Sequence, residues 1–148
     1  MPAMLVSCAR LLATAGIRHH LDHDEGVIRV VFTTRRYRNP RGEHLAIVTL
    51  DAAGDGRSCR ARIERAFPAG RDPAAACLDL CRLAGEFPGV GFRYDDDSRS
   101  ISLTAIAFAG GGRITAAQLC GLLDAVVVAA ETCHRACEGP EERRRRVG

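Results

Sequence analysis

The stretch EHLAIVTLDAAGDGRSCRARIERA, residues 43–66, decides the fold. Its first part, from about Glu43 to Leu50, is rich in β-branched and apolar residues and reads as a strand. Asp51-Ala52-Ala53-Gly54-Asp55-Gly56 holds the small and acidic residues that reverse a chain. The return, Arg57 to Ala66, alternates: Cys59, Ala61 and Ile63 fall on one face, Arg60, Arg62 and Glu64 on the other. A strand that is dry on one side and wet on the other belongs to an antiparallel sheet covered on one face only.

Working outward from this hairpin, Val27 to Thr34 reads as a preceding strand opened by the turn His23-Asp24-Glu25-Gly26, with Ile17 to Leu21 extended before it. Arg38-Asn39-Pro40-Arg41-Gly42 turns the chain into residue 43. Met4, Leu5, Cys8, Leu11, Leu12 and Ala15 recur at helical spacing, and Gly16 stands where a glycine closes a helix. Downstream, Asp72 and Pro73 form a cap and first-turn pair for a helix to about Phe87, which Pro88-Gly89 ends. A hairpin of Gly91 to Asp95 and Ser100 to Phe108 follows, around the acidic turn Asp95-Asp96-Asp97-Ser98. After Gly110-Gly111-Gly112, Thr115-x-x-Gln118 is a capping box ahead of the apolar run Leu119 to Ala130. The elements predict an α+β fold: a five-stranded antiparallel sheet with helices packed on one side, in the order α-β-β-β-α-β-β-α. One domain over residues 1–138 is expected, followed by a disordered Arg-rich tail at 139–148.

Composition narrows the function classes. The 148 residues are 47% hydrophobic and 26% charged, the balance of one globular domain. Aromatic residues are few and tryptophan is absent, which disfavours recognition by stacking on bases or sugars. The net charge of +3 depends on the run Arg143 to Arg146, without which acids outnumber bases by one, so no general attraction to nucleic acid or anionic membrane follows. Seven cysteines without a secreted framework spacing fit reduced thiols in a cytoplasm. Leu5-Val6-Ser7-Cys8 looks like a lipoprotein box, but neither a basic region nor a full apolar segment precedes it. No stretch is expected to approach the ~20 apolar residues of a membrane span.

The order of elements and several phrases together resemble the YbjN-like family, whose fold is that of the type III secretion chaperones. The phrases are Asp24-Glu25-Gly26-Val27-Ile28-Arg29-Val30; Gly42-Glu43-His44-Leu45; Leu78-x-x-x-x-Leu83 ahead of a Pro-Gly turn and Phe92; and Ile114-Thr115-x-x-Gln118-Leu119. Ala84 departs from the Asn that often follows the leucine in such sequences. The resemblance spans most of residues 3 to 137. It implies a homodimeric, non-enzymatic adaptor or chaperone-like protein, and it carries over no catalytic residue. Secretion chaperones are usually acidic, so the fold and the binding role are expected here without the secretion context.

Among candidate sites, Arg35, Arg36, Arg38 and Arg41 surround Tyr37 at one hairpin tip, and Arg60 and Arg62 lie on the wet face of a neighbouring strand, together a candidate anion-binding patch. Leu119, Leu122, Leu123, Val126 and Val127 make a stripe wider than one sheet face needs, a candidate dimer or partner surface. Cys77 and Cys81, with Cys133 and Cys137, are two i, i+4 pairs on two helices, a zinc or thiol-redox candidate set against ordinary packing of small apolar side chains. The cluster His19, His20, Asp22, His23, Asp24 and Glu25 reads as a solvated turn. No metal or other cofactor is expected. The leading expectation is a cytoplasmic homodimer that binds a client or regulatory protein. The alternatives are a nucleic-acid or phospholigand binder through the basic hairpin, and a metal or redox protein through the helix cysteines.

Overall fold

The computed structural model describes residues 1–137; the tail expected at 139–148 lies outside the described residues. Its elements are α1 (Ala3–Thr14), β1 (His20–Asp22), β2 (Val27–Thr33), β3 (Leu45–Ala52), β4 (Ser58–Pro68), α2 (Pro73–Leu83), β5 (Val90–Asp95), β6 (Ser100–Phe108) and α3 (Ala116–Cys133), with short 3₁₀ turns after α2, before α3 and after α3. The sheet is antiparallel throughout, in the order β1-β2-β3-β4-β6-β5. It has six strands where five were expected. The added strand is β1, whose three residues pair with Arg29, Ile28 and Val27 of β2. Asp22 makes this pairing possible: its carboxylate accepts the amides of Asp24 and Glu25 in the turn and pairs with Arg29 at 2.8 Å across the strands.

The signals at the helix ends act as the residue types require. Asp72 accepts the amide of Ala75 at the start of α2, with Pro73 in the first turn. At α3, Thr115 and Gln118 exchange bonds reciprocally. Gly16 adopts φ 70° beyond α1, and the amide of Ile17 reaches back to the carbonyl of Leu12. Helix α2 stops at Leu83 and continues as a 3₁₀ turn to Glu86, a little short of the Phe87 expected.

The core is one layer between the helices and the covered face of the sheet. Ile28 and Val30 of β2, Ala46, Val48 and Leu50 of β3, Cys59, Ala61 and Ile63 of β4, and Ile101, Leu103 and Ala105 of β6 face it. From the helices come Met4, Leu5, Cys8 and Leu12, then Ala76 and Leu80, then one face of α3. Residues 116–137 do form a helical stretch long and apolar enough by length and composition to cross a membrane, contrary to the expectation from sequence. Here that apolarity is used on the sheet, with Leu119, Leu122, Leu123, Val126, Ala129, Ala130 and Cys133 buried in the core. Among the described residues the other face of the sheet has no helix packed on it. It presents Arg29, Val31 and Thr33 of β2, Ile47 and Thr49 of β3, Arg60 and Arg62 of β4, and Thr104, Ile106 and Phe108 of β6.

Candidate functional site

Three features of the uncovered face and its rim have functional bearing. The first is apolar. Val31 and Ile47 are direct cross-strand partners, 55% and 46% exposed, and Ile106 and Phe108, at 49% and 71%, stand on the far strand of the same face. Val31 and Ile47 gain some stability from their cross-strand pairing, and large apolar groups gathered on one sheet face are also what a contact surface requires.

The second is ionic and lies between these two corners. Asp51 receives Arg60 through a two-pronged bond of 2.9 and 3.1 Å and Arg62 at 2.7 Å, and Arg62 also reaches Glu64. The register explains the cluster, because Asp51 is paired with Arg60 and Thr49 with Arg62. Arg60 and Arg62 are thus both paired with Asp51, apart from the hairpin tip with which they were expected to form an anion patch. That tip leaves the sheet at the other end of the β2–β3 pairing, after Thr33.

The third is the loop 34–44 itself. Tyr37 is almost wholly buried; its hydroxyl donates to the carbonyl of Ala66 at 2.9 Å, and its ring meets Phe67 edge-on with centroids 5.8 Å apart. A bulge near the end of β4, between Ile63 and Phe67, turns both Ala66 and Phe67 inward to receive it. Burial pushes the Tyr37 phenol up to about 12, so it stays a hydrogen-bond donor. Glu131, on the last full turn of α3, accepts the amides of Arg35, Arg36 and Tyr37 at 3.2, 3.1 and 2.7 Å. Burial works to raise its pKa, but these amides and the nearby His134 outweigh burial and hold it below the ordinary carboxylate value. Asn39 accepts the amides of Arg41 and Glu43, fixing the turn that follows. The backbone is thus fastened at several points while Arg35, Arg36, Arg38 and Arg41 extend into solvent.

Of the stripe proposed for a partner, Leu119, Leu122, Leu123 and Val126 are buried in the chain's own core and Val127 is half-buried, leaving Val128 as the large exposed apolar side chain of α3. Most of the stripe expected as a dimer or partner surface therefore faces the chain's own sheet. Among the described residues the helix cysteines are not grouped to hold a metal ion. Cys81 is exposed, Cys77 half-buried, and Cys133 and Cys137 buried, with burial pushing the Cys133 thiol up to about 11. Among the described residues no group of three or more His, Cys, Asp or Glu is placed to hold a metal ion, including the turn at His19 to Glu25. The close thiol pair is instead Cys8 and Cys59, 4.0 Å apart in the core, where contact with Cys8 and burial raise the pKa of Cys59 and keep it an inert thiol. A shallow groove between the Pro88-Gly89 turn, β6 and α3 is lined by Ala105, Ile106, Ala107, Leu122 and Ala125 with Gln118, and no ionisable side chain faces it.

No family model matches this sequence, and no curated protein matches it. Among solved structures it is similar to a chain of the heterodimeric complex ExoU–SpcU from the type III secretion system of Pseudomonas aeruginosa. The TM-score is 0.56 at 16% identity, covering 87% of this chain and 96% of that one. The fold is type III secretion chaperone-like. That agrees with the architecture implied by the family resemblance, and at this identity it concerns the fold alone.

Proposed function

We propose that this chain is a YbjN-like, non-enzymatic protein-binding module, an adaptor or chaperone-like protein that acts as a cytoplasmic homodimer and holds a client segment on its uncovered sheet face. The observation that carries this reading is the pattern on that face: four large apolar side chains exposed at two corners of an otherwise polar surface, on strands whose opposite face packs into the core. The similar fold is found in a complex between two different proteins, which fits a role in binding a partner. The homodimer would use a different surface, and Val128 and Leu78, 52% and 54% exposed on the helical layer, are apolar groups available for it.

The test is selection of a displayed random-peptide library on the immobilised full chain, beside light scattering for mass. We expect recovered peptides to bind the wild type and to lose about tenfold or more in affinity on Ile106→Asp/Phe108→Asp, since each of these side chains would contribute over 1 kcal/mol at the centre of a contact. Both residues are exposed, so stability should change by no more than about 0.5 kcal/mol each. A scattering mass of one chain would remove the homodimer. A library that yields no binder, or peptides indifferent to the double substitution, would remove the binding face.

A further inference from the structure

The corner formed by Val31 and Ile47 adjoins the basic loop. Both sit on the two strands that the loop connects; Val31 precedes Arg35 by four residues, and Ile47 follows Arg41 by six. Four arginines of the described chain are paired with acids: Arg29 with Asp22 and Glu25, Arg60 and Arg62 with Asp51, and Arg82 with Asp79. Arg35, Arg36, Arg38 and Arg41 are exposed and without an ion pair among the described residues, and they crowd into seven residues of one loop. Neither nearby carboxylate forms an ion pair with them. Glu131 turns both oxygens to backbone amides, and Glu43 is bonded to the side chain of Asn39. Holding four like charges within seven residues on a fastened backbone costs self-repulsion, and an anionic partner recovers that cost without having to order the loop.

We propose that the tip Arg35–Arg41 and the exposed Val31–Ile47 pair form one docking surface for an extended peptide whose apolar residues are flanked by aspartates or glutamates. This rests on the binding reading above and specifies the chemistry of the client. The apolar pair takes the side chains that alternate along an extended strand, and the guanidinium groups take the carboxylates at its end. A nucleic acid fits less well. The aromatic ring of the loop, Tyr37, is buried and offers no stacking surface, Arg60 and Arg62 are held by Asp51, and four arginines make a short anion site rather than a track.

The peptides recovered from the library provide the test. We expect them to combine apolar residues with an excess of Asp and Glu. Affinity measured by fluorescence anisotropy should fall about tenfold or more from low to high salt, and by at least as much when Arg35, Arg36, Arg38 and Arg41 are all changed to Ser. Circular dichroism and melting confirm that the variant is folded, and Arg36→Glu/Arg38→Glu, at two exposed positions, is the second variant should the fourfold change fail to fold. Peptides without an acidic excess, whose binding survives the arginine changes yet is lost on Ile106→Asp/Phe108→Asp, would overturn this inference and leave the binding face standing. An oligothymidylate of similar length that binds more tightly than the peptides would overturn it in favour of nucleic acid. A Val31→Ser/Ile47→Ser variant that becomes monomeric and still binds the peptides would overturn it by assigning the corner to a second copy of the chain.

Discussion

Tyr37→Ala is expected to lower the unfolding free energy by about 3–5 kcal/mol, among the larger effects of a single truncation, because it empties a core site that the surroundings cannot close. The side chain is 1% exposed, packs edge-on against Phe67 and donates to the carbonyl of Ala66. Removal leaves that buried carbonyl without its donor and detaches the loop from the bulge in β4. Tyr37→Phe separates the two contributions. It keeps the ring and removes the hydroxyl, and should cost about 1 kcal/mol plus part of the desolvation of the Ala66 carbonyl. Urea unfolding measures both, and an alanine variant no less stable than the phenylalanine variant would show that the ring is not packed as described.

Glu131→Ala should cost about 1–2 kcal/mol, the range of a lost helix cap, since one carboxylate satisfies three amides that water can only partly replace. Its pH dependence has a definite sign. The pKa of Glu131 is lower in the folded chain than in the unfolded one, so its contribution is complete above the unfolded value of about 4.3 and is lost as pH falls through the depressed folded value. Glu131→Gln removes the charge and keeps one acceptor. Its deficit relative to wild type should therefore be largest near neutrality and shrink on acidification towards pH ~3. A deficit that stays constant between these limits would mean that the carboxylate charge does not fasten the loop.

The sequence made the strands and helices legible wherever local chemistry decides them. The alternation from Cys59 to Glu64 gave the two faces of β4, and Asp72, Pro73, Thr115 and Gln118 marked helix starts that form as expected. What stayed hidden depends on partners distant in sequence. Tyr37 sits among arginines and reads as a hairpin tip; its burial requires Phe67 and Ala66 on β4 and Glu131, 94 residues away. Strand β1 is too short to signal itself, with its one apolar residue, Leu21, between His20 and Asp22, and it forms through Arg29. The width of the stripe on α3 is accounted for by elements spread along the sequence, four strands and α1, that pack against it together. Strands β3, β4, β5 and β6, with α1 alongside, cover Leu119, Leu122, Leu123 and Val126. The unused apolar surface lies on the strands instead. Ile47 and Phe108 could not be assigned to the open face until the register of β3 and β6 against their neighbours was fixed.

Amide hydrogen exchange on the full chain, with and without a library-selected peptide at saturating concentration, tests most directly whether the uncovered face is the binding surface. Added protection is expected in β2, β3, β6 and the 34–44 loop, while the exposed turns of α1 and α2 remain unchanged. Protection confined to the helical layer around Leu78 and Val128, with the strands unaffected, would contradict the account.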